Sequence, residues 1–322
     1  MEPYTNTGAV NCDSDIDTSN VKGKTAIVTG GANGIGEAYV RALTGAGAFV
    51  VIADLDEEEG ARLEKELGSA VKFVKCNVTI WADQLAVFKT AIASSSSGRV
   101  DIVIANAGIS GADSVFFNDV EKEEPEEPKL NILNVNLNGV MYTTKLALHY
   151  FRRQNALNKG EPLDQLLILQ GSLAGYLDLQ GAIQYIASKF GLRGMMRSLR
   201  RTEHQHNIRV NYIGPWFIAT KILSKAAIEH LSKSGTEFAT VEDAGQCALR
   251  IASDPKINGR AFAILPRSWA PRGYVDMDYD DYPEGTLLEK LESSVGSRGD
   301  HRVAVDPEKQ RTKTQWSASA TN

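Results

Sequence analysis

Short apolar runs recur along the chain, each too brief for a helix and each closed by Gly, Asn, Asp or a polar turn. They are TAIVT at 25–29, FVVIA at 49–53, VKFVKC at 71–76, VDIVIA at 100–105, LLIL at 166–169, VNYI at 210–213 and GRAFAIL at 259–265. Runs of this length, rich in Val and Ile, read as strands buried on both faces. Between them the spacing turns helical: Glu37–Thr44, Glu57–Gly68, Ala82–Ala93, residues 130–151, the stretch through Tyr185 to Leu199, and Lys221–Ser232. Thr240-Val241-Glu242-Asp243 is a capping signal for a further helix running to Ala252. Strand and helix alternating at this interval predict an α/β fold, a doubly wound parallel sheet with helices on both faces. In such sheets ligands bind beyond the carboxyl ends of the strands. Thr29, Asp54, Asn77, Asn106 and Ser172 all fall there.

The flanks differ in composition. Residues 1–20 are dominated by Asn, Asp, Ser and Thr and predict a flexible leader. The catalytic domain is expected over 21–266, with a substrate loop at about 216–240. Residues 267–290, rich in Trp, Tyr, Asp and Pro, form a C-terminal extension that wraps the body or a partner subunit, and 291–322 a disordered tail. The 110–129 connection is long, carrying Phe116-Phe117 and then an acidic run that reads as solvated surface. Net charge is −5 in 322 residues, and no basic stripe suggests nucleic acid. Cys12, Cys76 and Cys247 are odd in number and scattered, giving neither a disulfide framework nor a metal spacing. There is no secretory signal at the N-terminus and no apolar run long enough for a bilayer. These features predict a soluble, cytoplasmic protein without a membrane partner.

The first strand leads into Gly30-Gly31-Ala32-Asn33-Gly34-Ile35-Gly36, then a helix, then a second strand ending at Asp54. Glycines here permit a tight turn and close approach of backbone to a pyrophosphate, which the helix N-terminus stabilises. Asp54 follows Gly30 by 24 positions. A carboxylate at that distance accepts hydrogen bonds from both hydroxyls of an adenosine ribose and repels a 2′-phosphate. No Arg or Lys stands in the turn or directly after Asp54. The expected cofactor is therefore NAD, with NADP as the alternative.

Tyr185 and Lys189 are four apart, one above the other on a helix face. An ammonium beside a phenol in a cleft favours the phenolate and brings the Tyr into range for proton transfer at neutral pH. Ser172, thirteen residues upstream at a strand end, is placed to hold the same substrate oxygen.

Together these pieces resemble the short-chain dehydrogenase/reductase superfamily. The matching segments are TGGANGIG at 29–36, Asp54, NAG at 106–108, Asn136 within NVNLNG, Ser172, YIASK at 185–189 and the segment around Pro215. They run in order over roughly residues 22–265. The resemblance implies a single Rossmann-type domain and assigns roles. Gly30, Gly34 and Gly36 hold the cofactor phosphates, with Ile35 at the turn and Asn33 also in the cofactor site, and Asp54 holds the ribose. Asn77 and Val78 lie beside the adenine, while Asn106 and Gly108 support the central sheet and cofactor. Tyr185 is the acid/base, Ser172 orients the substrate oxygen, and Lys189 binds the nicotinamide ribose and lowers the Tyr pKa. Asn136 holds a water linking Lys189 to solvent, or alternatively bridges a local helix kink. Ile218 and Thr220 face the nicotinamide carboxamide, and Pro215 also belongs to the cofactor site. Two positions depart from the family pattern. Asn77 stands where Asp is usual, its carbonyl oxygen still able to meet the adenine amino group. Trp216 replaces the Gly after Pro215, narrowing the pocket and either contacting substrate or packing beneath the following loop. No metal is expected.

Family members pair the 130–151 helix with the Tyr185 helix across a two-fold axis, so a homodimer or homotetramer is implied. The tail and the Pro-Trp-Phe segment resemble fungal members similar to 15-hydroxyprostaglandin dehydrogenase and to hydroxyanthraquinone dehydrogenases of polyketide pathways. The reading is an NAD-dependent oxidoreductase interconverting a secondary alcohol and a ketone on an apolar small molecule such as a polyketide or other secondary metabolite. Its rivals are an NADPH-dependent ketoreductase and a non-redox cofactor-binding scaffold.

Overall fold

Val, Ile, Leu and Ala fill the central strands so completely that both sheet faces must be covered, and helices cover them. In the computed structural model, which describes residues 1–117 and 119–296, the order is β1 (Thr25–Thr29), α1 (Gly34–Gly45), β2 (Phe49–Asp54), α2 (Glu57–Leu67), β3 (Val71–Lys75), α3 (Trp81–Ser94) and β4 (Ile102–Ala105). There follow α4 (Asn131–Leu133), continued through a π-turn (Asn134–Gly139) into α5 (Val140–Leu157), then β5 (Gln165–Gln170), α6 (Ile183–Leu199) and β6 (Ile208–Pro215). The last elements are α7 (Lys225–Lys233), α8 (Val241–Ser253), β7 (Ala261–Ile264), β8 (Tyr274–Asp276) and α9 (Leu287–Gly296).

The strands form one sheet in the order β3-β2-β1-β4-β5-β6-β7-β8, parallel except for β8, which runs antiparallel to β7. Order reverses between β1 and β4, and the crevice there is the expected ligand site. One apolar layer packs α1 and α8 on the sheet through Tyr39, Val40, Leu43, Cys247 and Ile251. The other packs Phe88, Phe151, Leu192 and Met196 on the opposite face.

Three boundaries differ from the sequence reading. Residues 1–278 form one unit, so the stretch after 266 contributes a strand, β8, before a second unit begins at Tyr279. That second unit carries α9, so helix occupies 287–296 where the disordered tail was expected to start; residues 297–322 lie outside those described. The leader has no regular structure, yet it is tied down. The Val10 N–H donates to Asp276 (2.9 Å), and Arg250 donates to the carbonyls of Cys12 and Ser14. Buried side-chain partners far along the chain, which local composition does not reveal, hold it.

Arg209 on β6 is fully buried and donates to Asp164 through Nε (2.6 Å) and Nη2 (3.1 Å), while Lys24 reaches the same carboxylate at 2.7 Å. Burial raises the Asp164 pKa, but Arg209 and Lys24 outweigh it and hold the carboxyl well below the usual carboxylate range. Replacing Asp164 by Ala leaves a buried guanidinium without its carboxylate and is expected to cost about 3–5 kcal/mol of stability at pH 7. A depressed carboxyl contributes above its unfolded value and loses that contribution as pH falls below about 4. Urea unfolding at pH 7 and in acid should therefore show the two proteins converging in acid.

Candidate active site

A cleft of about 1140 Å³ opens at the carboxyl ends of the strands, over the β1–β4 crevice. Its phosphate end is backbone. Gly30 has φ +63°, and a Cβ there would stand 2.9 Å from Ala107 Cα; a Cβ on Gly36 would stand 1.9 Å from the Gly30 carbonyl oxygen. Only glycine lets the turn fold this tightly against the start of α1. Asn33, Gly34 and Ile35 line the cleft beside them.

Asp54 ends β2 at the cleft wall. Its Oδ2 accepts from the Ala32 N–H (2.9 Å) and its Oδ1 from the Asp56 N–H (3.1 Å). Each oxygen keeps a lone pair for a ribose hydroxyl. Asn106 donates through Nδ2 to the carbonyls of Thr29 and Gly30, both at 2.9 Å, and so stitches the ends of β1 and β4.

Asn77 and Val78 also line the cleft. The Asn77 side-chain oxygen, though, accepts both the N–H (3.0 Å) and the hydroxyl (2.8 Å) of Thr79. Both lone pairs are engaged in this local turn, so the expected contact of that oxygen with an adenine amino group is not open.

Tyr185, Ser172 and Lys189 share the other half of the cleft. Ser172 caps the short turn after β5, its Oγ accepting from the Ala174 N–H at 3.1 Å, and lines the cleft together with the Tyr185 phenol. The Lys189 ammonium donates to the Gln170 carbonyl at 3.2 Å and stands 5.4 Å from the centre of the Tyr185 ring. Tyr185 is half-buried and Lys189 buried, and this shielding from water corrects one expectation. Burial pushes the Tyr185 phenol above its ordinary value, opposed by the Ser172 side chain, and burial brings the Lys189 ammonium down to about 8. Desolvation, rather than the Lys–Tyr pairing, sets both values here.

Asn136 does not line the cleft. It is fully buried in the π-turn, where Oδ1 accepts the Ile109 N–H and Nδ2 donates to the Ile109 carbonyl, both at 2.8 Å. A Cβ on Gly108 would stand 3.4 Å from Asn136 Oδ1 and 3.8 Å from Lys189 Nζ, so the three groups converge beneath the floor. The π-turn and the Asn coincide, as the kink alternative implies.

Pro215, Trp216, Ile218 and Thr220 line the far wall. Trp216 faces the cleft and is also packed: its ring meets Phe217 edge-on at 4.9 Å and Trp269 at 5.5 Å, and Nε1 donates to the Glu237 carbonyl at 3.1 Å. The helix of this segment spans Lys225–Lys233, starting after the expected Lys221 because Ser224 is its cap. Lys221 instead reaches α2, pairing with Glu59 at 3.0 Å and Asp56 at 3.8 Å.

Two contributors were not evident in the sequence. Asp113, inside the long connection, accepts from the Gln184 N–H (2.6 Å) and side-chain amide (2.9 Å) and so anchors the first turn of α6, one residue before Tyr185. Tyr212 of β6 bonds the Ser172 backbone. Neither belongs to a recognisable spacing, because the first contact spans 71 residues of chain and the second 40.

A glycine cradle with a ribose-facing carboxylate, in one cleft with a desolvated Tyr and Lys, defines a nicotinamide-dinucleotide-dependent oxidoreductase acting on CH–OH groups. The residues fit that cofactor by the tight backbone turn at Gly30 and Gly36 and by the lone pairs that Asp54 keeps. The chain belongs to the short chain dehydrogenase family, whose model matches residues 24–231. It is similar to 5′-hydroxyaverantin dehydrogenase of Dothistroma septosporum, at 37% identity over 86% of this chain and 94% of that one. It is also similar to an NADP-dependent dehydrogenase of Cochliobolus lunatus, at 32% identity over 79% and 92% of the two chains. Among solved structures it resembles the 3-ketoacyl-(acyl-carrier-protein) reductase of Brucella melitensis complexed with NADH, with a TM-score of 0.66 and 25% identity, covering 76% of this chain and 97% of that one. Among the described residues no helix is long and apolar enough to cross a membrane, and no cluster of His, Cys, Asp or Glu could hold a metal ion.

Proposed function

We propose that this protein is an NAD-linked dehydrogenase that oxidises a secondary alcohol to a ketone on an apolar secondary metabolite of the polyketide kind. The observation that carries the reading is the meeting of Tyr185, Ser172 and Lys189 in the same cleft as Asp54. The similarity to a 5′-hydroxyaverantin dehydrogenase supports the substrate class. So do the cleft walls, where Ile109, Leu177, Leu179, Trp216, Phe217 and Ile222 offer apolar area to a flat or bulky substrate.

In this reading Tyr185 takes the hydroxyl proton at its phenolic oxygen, and Ser172 holds the substrate oxygen as charge develops. Lys189 binds the ribose next to the nicotinamide. Asn136 fixes the Ile109 backbone beside Gly108 and keeps the proton exit from Lys189 in place. The bound nicotinamide supplies the two-electron acceptor. The protein acts in the cytoplasm as a homodimer or homotetramer, pairing α5 and α6 with those of a second copy.

Asp54 supports NAD, and Lys221 does not offset it, since Glu59 and Asp56 already engage that ammonium. The name of the Cochliobolus relative favours the second reading, reduction of a ketone with NADPH. Fluorescence titration with NADH and NADPH separates them. The native protein should bind NADH at least about tenfold more tightly, since hydrogen bonds to a charged group contribute about 1.5–3 kcal/mol. In Asp54→Ala that preference should shrink towards parity. Tighter binding of NADPH by the native protein would overturn the NAD assignment. Tight NADH binding with no turnover on a panel of secondary alcohols would point to the scaffold reading.

A further inference from the structure

We propose that Tyr212 is a positioning residue for the reaction, its hydroxyl fixing the backbone of Ser172 and through it the direction of the Ser172 side chain. The proposal rests on the role given to Ser172 above. Ser172 is in extended backbone, φ −168° and ψ 160°, which turns its own N–H and C=O to the same side. The Tyr212 hydroxyl sits on that side. It accepts the Ser172 N–H at 2.9 Å and donates to the Ser172 carbonyl at 2.7 Å. One hydroxyl thereby bonds both backbone groups of the residue just past the end of β5, the carbonyl also accepting the Gly175 N–H at 2.9 Å.

The chain is shaped around this contact. Tyr212 is fully buried. A Cβ on Gly171 would stand 1.8 Å from Tyr212 Cζ, and one on Gly175 would stand 2.5 Å from its hydroxyl oxygen. The turn Gly171-Ser172-Leu173-Ala174-Gly175 thus holds a glycine at each end, where the phenol enters. Tyr176 closes the site with its ring edge-on to Tyr212 at 5.9 Å. A ring that only filled space would not need a hydroxyl placed between two backbone groups of one residue. A phenol held so closely allows Ser172 little freedom to swing its hydroxyl away from Tyr185.

The effect of this arrangement reaches beyond rate. The Ser172 side chain opposes the effect of burial on the Tyr185 phenol. Letting Ser172 drift should therefore raise the Tyr185 pKa, and the acid limb of the oxidation rate should move to higher pH. A purely structural role for Tyr212 would not move that limb.

The test compares Tyr212→Phe, Ser172→Ala and the double variant, on a secondary alcohol that the native protein oxidises, with NAD saturating. The Phe ring still fills the space between Gly171 and Gly175, and thermal melting with NADH titration reports the integrity of each variant. In Tyr212→Phe we expect turnover to fall about tenfold, the scale of one weakened transition-state hydrogen bond. Its acid limb should shift upwards in the same direction as in Ser172→Ala, with NADH affinity unchanged. The double variant should be no slower than Ser172→Ala alone, because both changes act on one hydroxyl. Native turnover and an unmoved limb in Tyr212→Phe, beside an impaired Ser172→Ala, would overturn the positioning role and leave Ser172 standing. A slower Tyr212→Phe with an unmoved limb, additive with Ser172→Ala, would reduce Tyr212 to packing and overturn it equally. Native turnover in Ser172→Ala would overturn both readings.

Discussion

Tyr185→Phe is expected to bind NADH as the native protein does and to lose turnover by about a thousandfold or more, within the range that positioned proton transfer supplies. Phe keeps the ring and its packing on α6 and removes only the phenolic oxygen. The oxygen shares the cleft with Ser172 and is the group this mechanism uses to take the carbinol proton. The pH dependence carries a second expectation. Burial pushes the Tyr185 phenol up, so oxidation should accelerate as pH rises and the phenolate fraction grows. Reduction, which needs the protonated phenol, should be fastest on the acid side of the same limb. Lys189 stands close to the Tyr185 ring, but burial and not the pairing shifts each group, so the limb is assigned to Tyr185. In Tyr185→Phe the limb should vanish along with the rate. A variant that kept turnover and limb would remove Tyr185 from the mechanism and leave the cleft as a binding site.

The sheet was legible because its signal is strong and local. Apolar runs bounded by Gly, Asn and Asp have few other ways to fold, and seven of the eight strands coincide with such runs. The eighth, Tyr274–Asp276, is three residues long, exposed at its middle position and antiparallel on the edge, so it leaves no continuous apolar run to read. It also explains why the sheet-bearing unit extends past 266. The cofactor half of the site was legible for a related reason: the turn demands glycine at fixed places, and Gly36 can hold no side chain against Gly30.

What escaped reading is what depends on contacts between distant segments. The leader looked mobile by composition, but Arg250 and Asp276, more than 230 residues away, hold its backbone. The acidic connection looked like surface, but Asp113 in it anchors the Tyr185 helix. Asn77 was expected at the adenine, and its oxygen is spent on Thr79 two residues on. Most telling is the Tyr–Lys pair. Spacing places the two on one helix face, but it does not say how deeply the helix face is buried. Burial raises the phenol and lowers the ammonium, whereas their mutual attraction would move each in the opposite direction.

That depth leads to the second large expectation: Lys189→Met should melt at a higher temperature than the native protein at pH 7 while losing its activity. Lys189 is 4% exposed, and its pKa falls from 10.5 to about 8 because burial strips water from the ammonium. Keeping it charged at neutral pH costs about 3 kcal/mol, since each tenfold loss of proton affinity corresponds to about 1.4 kcal/mol. By linkage, a base whose folded pKa is depressed destabilises the fold fully at pH below the folded value, here about 8, and the penalty fades as pH rises towards 10.5. Met has a similar volume, no charge and no need of solvent. Its advantage should therefore be largest at and below pH 7 and narrow steadily above pH 8, which melts taken across that range would record. The loss on the other side is the bond from Lys189 Nζ to the Gln170 carbonyl at 3.2 Å, worth less than the burial penalty at that length. A Lys189→Met protein that melted lower than the native one at pH 7 would mean that this bond outweighs desolvation. If it melts higher and is inactive, the ammonium is held in the cleft at the expense of stability, as a group retained for chemistry would be.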